Sequence, residues 1–443
     1  MNNCNKLIIS FFLILKSITS FGQDFTPLIN IAWENNATLR SKSFKLESAT
    51  LALNEAKAMY GPDIKFGVQY TLANGGRSIS FPVGDLLNPV YSTLNSLTQS
   101  TAFPQIENVN EQFLPNNFYD ARVRISQPIF YPDLAINKTL KKETIEMQKL
   151  EIKAFKRYIS KDVMSAWFQY QSALAAVAIY KSADTLLVEA RRATQSMIRN
   201  GIALSTALSR IDNQSAIIRS QEIESMANIK NAENYMRFVL GIKENEPLPV
   251  VLNVPKVPSL EMINSSSREE LQQIAQAMKI GQLGVNKENN FYLPRIGAQI
   301  DAGSQDFDLG WKPYLLLGIN VEVNIFDSKK HKYRKQAVQS DLTALQHQSN
   351  QIQNEINLQV KVSQENLKTA LLQAETFDAR IMASRKIYNE VYARYKEGNV
   401  GYLELIDAQT QYTQMQIQYL IFQNNAWLKW SEYVYATAIY PIN

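Results

Sequence analysis

Cysteine and histidine are almost absent from this sequence, which contains one Cys and two His among 443 residues. Cys4 lies in an N-terminal segment that we interpret as removed, so the mature chain has neither a disulfide nor thiol chemistry. His331 and His347 lack nearby cysteine partners, and their spacing does not predict a zinc site. The sequence also lacks a glycine-rich phosphate loop and a Ser–His–Asp pattern. We therefore expect no enzyme activity, no cofactor and no metal.

Glycine and proline are also scarce, with 16 and 15 residues respectively, which predicts long uninterrupted elements. After the N-terminus, no apolar run reaches the roughly 18 residues that a transmembrane helix requires. A chain of this kind that spans a membrane must therefore do so with strands. The formal net charge of +5 falls to about +3 when Lys6 and Lys16 are removed, which is too weak and dispersed to indicate nucleic-acid binding.

The N-terminus has the features of a secretory signal peptide over residues 1–22. Lys6 provides the positive region, Leu7–Leu15 the apolar core and Ser20–Gly22 a cleavage site with small residues. The alternative, a first transmembrane helix, is disfavoured because an apolar core of about nine residues is too short to span a bilayer.

Four segments alternate between apolar and polar side chains, the period of a β-strand with one apolar and one wet face. They are Ile64–Leu72, Tyr119–Ile129, Ile296–Ala302 and Tyr314–Phe326. Residues 303–312 are predicted to form a short polar turn between the last two strands. The segment between the first two strands, up to Phe118, has no clear pattern; it is either disordered or a surface excursion with a function.

The other patterns predict helices. They span Asp24–Ala58, Leu134–Arg199, Ser205–Leu240, Arg268–Asn289, Ser328–Lys396 and about Tyr402–Ala438. The segment Ser328–Lys396 contains neither glycine nor proline and carries a coiled-coil seam with 3,4 spacing, typical of a helix that packs sideways on its neighbours. The order helix, strand, strand, long helix, shorter helix occurs twice. We therefore predict an internal duplication, with repeats at 23–242 and 266–443 and a proline-rich linker at 243–265.

Four strands of membrane-spanning length are too few to close a barrel within one chain. Single-chain bacterial barrels start at about eight strands, and an open sheet edge in lipid leaves backbone groups unpaired. Three copies would give a 12-stranded barrel, which is within the known even-numbered range. Aromatic residues at both ends of the predicted strands fit the girdles of such a barrel: Tyr60, Phe118, Tyr119, Phe130, Tyr131, Phe291, Tyr292, Trp311, Tyr314 and Phe326. The alternative is the sheet of a soluble core.

The whole predicted mature chain resembles the TolC-like outer-membrane efflux factor family. The resemblance is carried by the duplicated order, the Pro-Ile-Phe end of the second strand (128–130), the glycine-centred helix breaks, and Tyr395–Val400 followed by Glu404–Ala408. It implies an α+β membrane protein: a trimeric outer-membrane barrel continued by a long periplasmic α-helical barrel. It also implies an exit duct whose helix tips contact a periplasmic adaptor (membrane fusion) protein and open on contact with an inner-membrane pump.

The resemblance also implies roles for residues at the helix tips. Glu404 and Asp407 match a ring of acids at the periplasmic mouth; without the resemblance they would be two solvated acids on a helix face. Four residues match positions that pack at the gate: Tyr395, Thr206, Val400 and Ala207. The segments that match adaptor contacts contribute Gly201, Ile202, Leu204, Gly398, Val400, Gly401 and Leu403.

Two of these positions depart from the family pattern. Val400 stands where the family has a gating arginine, and Ala207 stands where it has an aspartate partner. A charged latch is therefore absent, and we hypothesise a gate held by packing and by hydrogen bonds of Tyr395, with weaker closure.

Three functions are compatible with the sequence. The first is a passive export channel in the bacterial outer membrane, with energy supplied by a partner. The second is the exit channel of a type I protein-secretion system, which the sequence does not separate from the first because the pump selects the cargo. The third is a secreted coiled-coil interaction protein without a pore.

Overall fold

The computed structural model describes residues 25–249, Pro258 and residues 268–442. The predicted signal peptide and most of the predicted proline-rich linker lie outside these residues. The described helices are α1 (Thr26–Asn35), α2 (Ala37–Ala58), α3 (Val83–Thr98), α4 (Pro132–Arg199), α5 (Ser205–Leu240), α6 (Glu269–Asn289), α7 (Lys330–Lys396) and α8 (Tyr402–Thr437). The strands are β1 (Asp63–Thr71), β2 (Ser78–Phe81), β3 (Val109–Gln112), β4 (Phe118–Phe130), β5 (Arg295–Phe307) and β6 (Pro313–Glu322).

Helices α4 and α7 are the two long helices that the scarcity of glycine and proline predicts. They contain 68 and 67 residues, which at 1.5 Å per residue gives lengths of about 100 Å. Pro132 is the first residue of α4, where its missing N–H group costs no helical hydrogen bond. No helix among the described residues is both long and apolar enough to cross a membrane.

The prediction of one helix over Asp24–Ala58 is wrong, because the chain breaks at Asn36. Asn36 leaves the helical region, with ψ at 115°. Its side-chain Oδ1 atom accepts a hydrogen bond from the backbone N–H of Leu39 at 3.0 Å. Asn36 thus ends α1 and supplies the N-terminal cap of α2, a role for which asparagine is well suited.

Strands β1, β4, β5 and β6 form one antiparallel sheet in that spatial order. The third strand is longer than predicted, because pairing continues beyond Ala302 to Phe307. The predicted turn over 303–312 shortens accordingly to the residues between β5 and β6. Gly303 permits this extension, because a Cβ atom there would lie 2.3 Å from the carbonyl oxygen of Ala121 on β4. The fourth strand ends at Glu322, before the predicted Phe326.

One face of this sheet is apolar across all four strands. Paired residues form continuous rows, of which two are Ile64, Ile125, Ile300, Leu317 and Phe66, Val123, Ala302, Leu315. This face is uncovered within the described chain: Phe66 and Leu317 each expose 72% of their surface. The opposite face is polar, and on it Arg124 donates two hydrogen bonds to the buried carboxylate of Asp301 at 2.7 and 2.8 Å.

The segment between β1 and β4, for which the sequence left disorder open, has defined structure. It contains β2 and β3, which pair with each other, and α3 between them. Asn88 of α3 binds the backbone of Ile106 through both its carbonyl and its amide group, at 2.9 Å each. Asn95 binds the backbone of Phe103 in the same way. These two asparagine side chains fix the return segment to the helix.

The described chain divides into two units. One comprises residues 50–142 and 280–340 and contains the sheet; the other comprises the described residues of 1–49, 143–279 and 341–443. These units cut across the predicted repeats, so the duplication remains a prediction. The second unit has an aromatic core in which Phe168 stacks on Trp427, with ring centroids 4.4 Å apart. Beside it lies a buried ion pair, in which Arg157 binds both carboxylate oxygens of Glu269 at 2.7 Å.

We predict that Glu269→Gln lowers the free energy of unfolding at pH 7 by about 3–5 kcal/mol, because the Arg157 charge is left buried without its partner. Burial is the largest single influence and acts to raise the pKa of Glu269. Hydrogen bonds from Arg157 and from the backbone, together with the charges of Arg157 and Arg268, outweigh it, so the pKa lies below its ordinary value. The stabilisation is therefore present above the ordinary carboxyl pKa and is lost as the pH falls through the lower, folded-state pKa.

Urea unfolding, followed by tryptophan fluorescence, would measure this effect. The difference between wild type and variant should shrink below about pH 4. Glu432→Gln removes the exposed partner of Lys429 and is the matched control, with an expected change of less than about 1 kcal/mol. An equal loss in both variants would contradict a special role for the buried pair.

Candidate gate at the helix tips

Two short turns, which we call the tip turns, connect the long helices to their shorter partners. Residues 200–204 join α4 to α5, and residues 397–401 join α7 to α8. Gly201 and Gly398 are the left-handed residues of these turns, with φ at +73° and +79°. These are the two predicted glycine-centred helix breaks.

Both tip turns close their helix with the same pair of backbone hydrogen bonds. In the first, Ile202 N–H donates to Met197 O at 2.8 Å and Gly201 N–H donates to Ile198 O at 3.0 Å. In the second, Asn399 and Gly398 make the equivalent bonds to Arg394 and Tyr395. This is the Schellman arrangement, which satisfies the last carbonyl groups of a helix and requires a left-handed residue.

Below the turns, four helix ends pack around Tyr395, which is only 1% exposed. The apolar cluster contains Ala190 and Met197 of α4, Ile211 of α5, Tyr388 and Tyr395 of α7, and Leu405 of α8. Residues from all four elements are therefore needed to bury this tyrosine. The two tip turns form an open cleft of about 360 Å³ next to this tyrosine. It is lined by Ile202, Leu204, Gly398, Val400 and Gly401.

The Tyr395 hydroxyl is hydrogen-bonded to Thr194, at 2.6 Å. The Thr194 hydroxyl donates its only hydrogen to Ala190 O at 2.8 Å, so Tyr395 donates to Thr194. Thr194 is fully buried, whereas Thr206, the threonine that the resemblance indicates, is exposed at the start of α5. Thr194, the partner of Tyr395 within one chain, was therefore not predicted from the sequence.

A stack of tyrosines extends the cluster and was also missed as a group. Tyr388 lies parallel to Tyr392 and to Tyr412, with ring centroids 5.9 and 6.0 Å apart. Burial raises the pKa of Tyr388 far above its ordinary value, and the neighbouring Tyr392 and Glu189 add to this shift. The stacked ring therefore remains neutral throughout the physiological pH range.

The two predicted ring acids lie on the exposed surface of α8. Glu404 is in the first turn of the helix and Asp407 lies three residues later, so both side chains lie on one face. Gln411 donates a hydrogen bond to Asp407 at 2.7 Å. Neither acid forms an ion pair with any cation that the structure describes. No group of His, Cys, Asp and Glu able to hold a metal occurs among the described residues.

The two positions that depart from the family pattern are both apolar and packed. Ala207 is fully buried at the start of α5, and Val400 is half-buried in its tip turn. By contrast, the apolar side chains of Ile202, Leu204 and Leu403 expose 61%, 74% and 56% of their surface. The tips therefore present apolar side chains to solvent around the two turns.

Comparisons with known proteins identify the fold. No protein-family model and no curated protein matches the sequence. The chain does match solved structures. One is CusC, which has 13% sequence identity and a TM-score of 0.73; the match covers 93% of this chain and 91% of CusC. VceC from Vibrio cholerae also matches, with 12% identity, a TM-score of 0.71, and coverage of 93% of this chain and 95% of VceC. MtrE from Neisseria gonorrhoeae matches with 13% identity, a TM-score of 0.71, and coverage of 94% of this chain and 89% of MtrE. CusC is described as forming a transmembrane channel, VceC as an outer-membrane protein and MtrE as an outer-membrane channel. The resemblance to TolC-like channels is confirmed for the fold of a single chain, long helices with one four-stranded sheet. The trimer, the closed barrel and the internal duplication stay predictions.

We predict that Gly398→Ala destabilises the second tip turn by about 1–2 kcal/mol, because its left-handed φ is strained for a residue with a Cβ atom. Gly401→Ala is the matched control: Gly401 has φ at −78°, and no atom lies within 4 Å of the position that a Cβ atom would take. Hydrogen exchange of the Asn399 amide would measure the difference, with roughly 5- to 30-fold faster exchange in Gly398→Ala alone. Equal exchange in both variants would contradict the Schellman assignment.

Proposed function

We propose that three copies of this chain form an outer-membrane channel, the exit duct of a tripartite export system that crosses the periplasm. In this proposal the four-stranded sheets form a barrel in the bacterial outer membrane, and the long helices form a periplasmic extension. The channel is a passive conduit that opens at its tip turns on contact with the adaptor and the pump.

The observation that carries this proposal is the uncovered apolar face of the sheet. Its two central rows cross all four strands and consist of aliphatic and aromatic side chains. A face of this kind is costly in water and stable in lipid. Aromatic residues flank it at both ends, including Tyr60 and Tyr292 at the helix end and the cross-strand pair Tyr70 and Tyr119 at the turn end. This distribution is typical of the girdles of an outer-membrane barrel.

The edges of the sheet support a trimer. Strands β1 and β6 each have a single neighbour in this sheet within the described chain. They run in opposite directions, so β6 of one copy can continue the antiparallel pattern with β1 of the next. Three sheets of four strands then close into a barrel of 12 strands, which leaves no edge in lipid. The polar face, with Arg124 and Asp301, lines the lumen.

The tip turns supply the gate in this proposal. Three copies of Glu404 and Asp407 place six acids around the periplasmic mouth, an arrangement that favours cations. Because Val400 and Ala207 are apolar, closure depends on packing around Tyr395 and on its hydrogen bond to Thr194. Thr206 is exposed in a single chain and is available to a neighbouring copy.

Adaptor contact involves the exposed parts of both tip turns. The contacting residues in this proposal are Gly201, Ile202, Leu204, Gly398, Val400, Gly401 and Leu403. The exposure of Ile202, Leu204 and Leu403 supports this assignment, because large apolar side chains at an exposed turn are typical of a partner site.

The choice between small-molecule efflux and type I protein secretion depends on the pump and stays open. The alternative of a secreted coiled-coil protein without a pore is disfavoured, because it leaves the apolar rows of the sheet without a partner. An enzyme is disfavoured by the matched solved structures, which are described as channels or membrane proteins.

Cross-linking tests the proposed barrel directly. Cys4 is the only cysteine in the sequence. Once it is removed, cysteines introduced in pairs at the two edge strands are the only thiols in the protein. We predict that variants with one cysteine from Ile64, Phe66 or Val68 and one from Leu315, Leu317 or Ile319 give covalent dimers and trimers on oxidation. Control pairs combine one of these β1 positions with a cysteine at position 318, which lies on the opposite face of β6.

Mass measured after denaturation gives the readout. Inter-chain bonds confined to same-face pairs support the shared barrel, since disulfides require Cβ atoms about 3.5–4.5 Å apart. Absence of inter-chain bonds across all the same-face pairs would contradict the proposal.

Ion selectivity tests the proposed acid ring. We predict that Glu404→Gln combined with Asp407→Asn reduces the preference of the single channel for cations, because the six carboxylates of the trimer are removed. The matched control is Glu365→Gln combined with Glu375→Gln, which removes two exposed acids from α7. Reversal potentials in a salt gradient measure the preference. A selectivity unchanged by the first pair would show that these acids do not line the constriction.

A further inference from the structure

Cations are concentrated where the strands of the sheet pass into the long helices. Residues 327–340 contain five lysines and arginines against one aspartate, and residues 132–142 contain three lysines against one aspartate. Together these two short segments carry six net positive charges, more than the +5 of the entire chain. We call them the basic belt; its cations are Lys138, Lys141, Lys142, Lys329, Lys330, Lys332, Arg334 and Lys335.

The basic belt lies at one end of the sheet, directly after the aromatic residues of that end. Strands β4 and β6 both finish there, and α4 and α7 begin there. The ammonium group of Lys138 lies 5.9 Å from the ring centroid of Tyr60. Along the sheet towards this end, apolar side chains are followed by aromatic rings and then by cations. A bilayer changes in the same order, from hydrocarbon through the interface to the phosphate groups.

Most of these cations are available to bind an anion. Arg334 is paired, with Glu288 at 3.1 Å. The exposed side chains of Lys329, Lys330 and Lys332 form no ion pair with any residue that the structure describes.

The other end of the sheet has the opposite charge. The segment 72–117, between β1 and β4, contains one arginine against three acids. A general need for solubility would not place cations at one end and acids at the other. The asymmetry indicates that the helix end meets an anionic surface.

We propose that the basic belt binds the phosphate groups of anionic phospholipids in the periplasm-facing leaflet of the outer membrane. This inference rests on the proposed function, which places that leaflet at the helix end of the sheet. Three lysine ammonium groups near an anionic lipid surface correspond to a preference on the order of 100-fold. The attraction is electrostatic and decreases with salt.

The test compares the assembled protein with two sets of three neutralised lysines. The belt variant is Lys142→Gln, Lys330→Gln and Lys332→Gln, all exposed. The control variant is Lys361→Gln, Lys368→Gln and Lys386→Gln, which are exposed on α7 and change the charge equally. Native mass spectrometry in neutral detergent measures the binding of phosphatidylglycerol against phosphatidylcholine.

We expect wild type and control to prefer phosphatidylglycerol, and the belt variant to lose this preference by at least about 10-fold, because three ammonium groups are removed from each copy. The preference of the wild type should also fall between low and high salt. A detergent-dependent assembly without any preference for phosphatidylglycerol, or one whose preference survives in the belt variant, would overturn the inference and leave the proposed channel intact. A protein that binds no detergent at all would instead overturn the proposed function.

Discussion

An apolar sheet face with unpaired edges is the constraint on which the rest of this structure depends. Rows such as Phe66, Val123, Ala302 and Leu315 place apolar groups side by side with no covering helix among the described elements. Backbone groups along β1 and β6 have no partner beyond the sheet in one copy, within the described residues. In the proposed trimer, lipid would cover the face and other copies would pair with the edges, which meets both requirements at once.

The length and the ends of the long helices are determined by where glycine and proline occur. Helices α4 and α7 carry no broad apolar face. They are continuous because glycine and proline are nearly absent from them. Their ends are defined sharply by Gly201 and Gly398, whose left-handed conformation satisfies the last carbonyl groups. At these ends Tyr395 is buried by four helices and hydrogen-bonded to Thr194, so the candidate gate is closely packed within each copy.

The sequence predicted elements with strong local patterns and missed contacts between distant residues. Alternation identified all four strands of the main sheet, but it stops at Ala302, whereas backbone pairing continues to Phe307. Helical spacing did not reveal the break at Asn36, since that break depends on one side-chain hydrogen bond. The segment after β1 had no periodic pattern, because asparagine contacts with backbone groups stabilise it. Thr194 lies 201 residues from Tyr395, and no spacing rule connects them.

The mass of the purified protein, with and without detergent, tests the central claim most directly. Sedimentation that accounts for bound detergent should give three copies in one particle, with a detergent belt around the apolar face and precipitation when detergent is removed. A particle of any size that remains monodisperse without detergent would contradict the account, because the apolar rows of the sheet would then be stable in water.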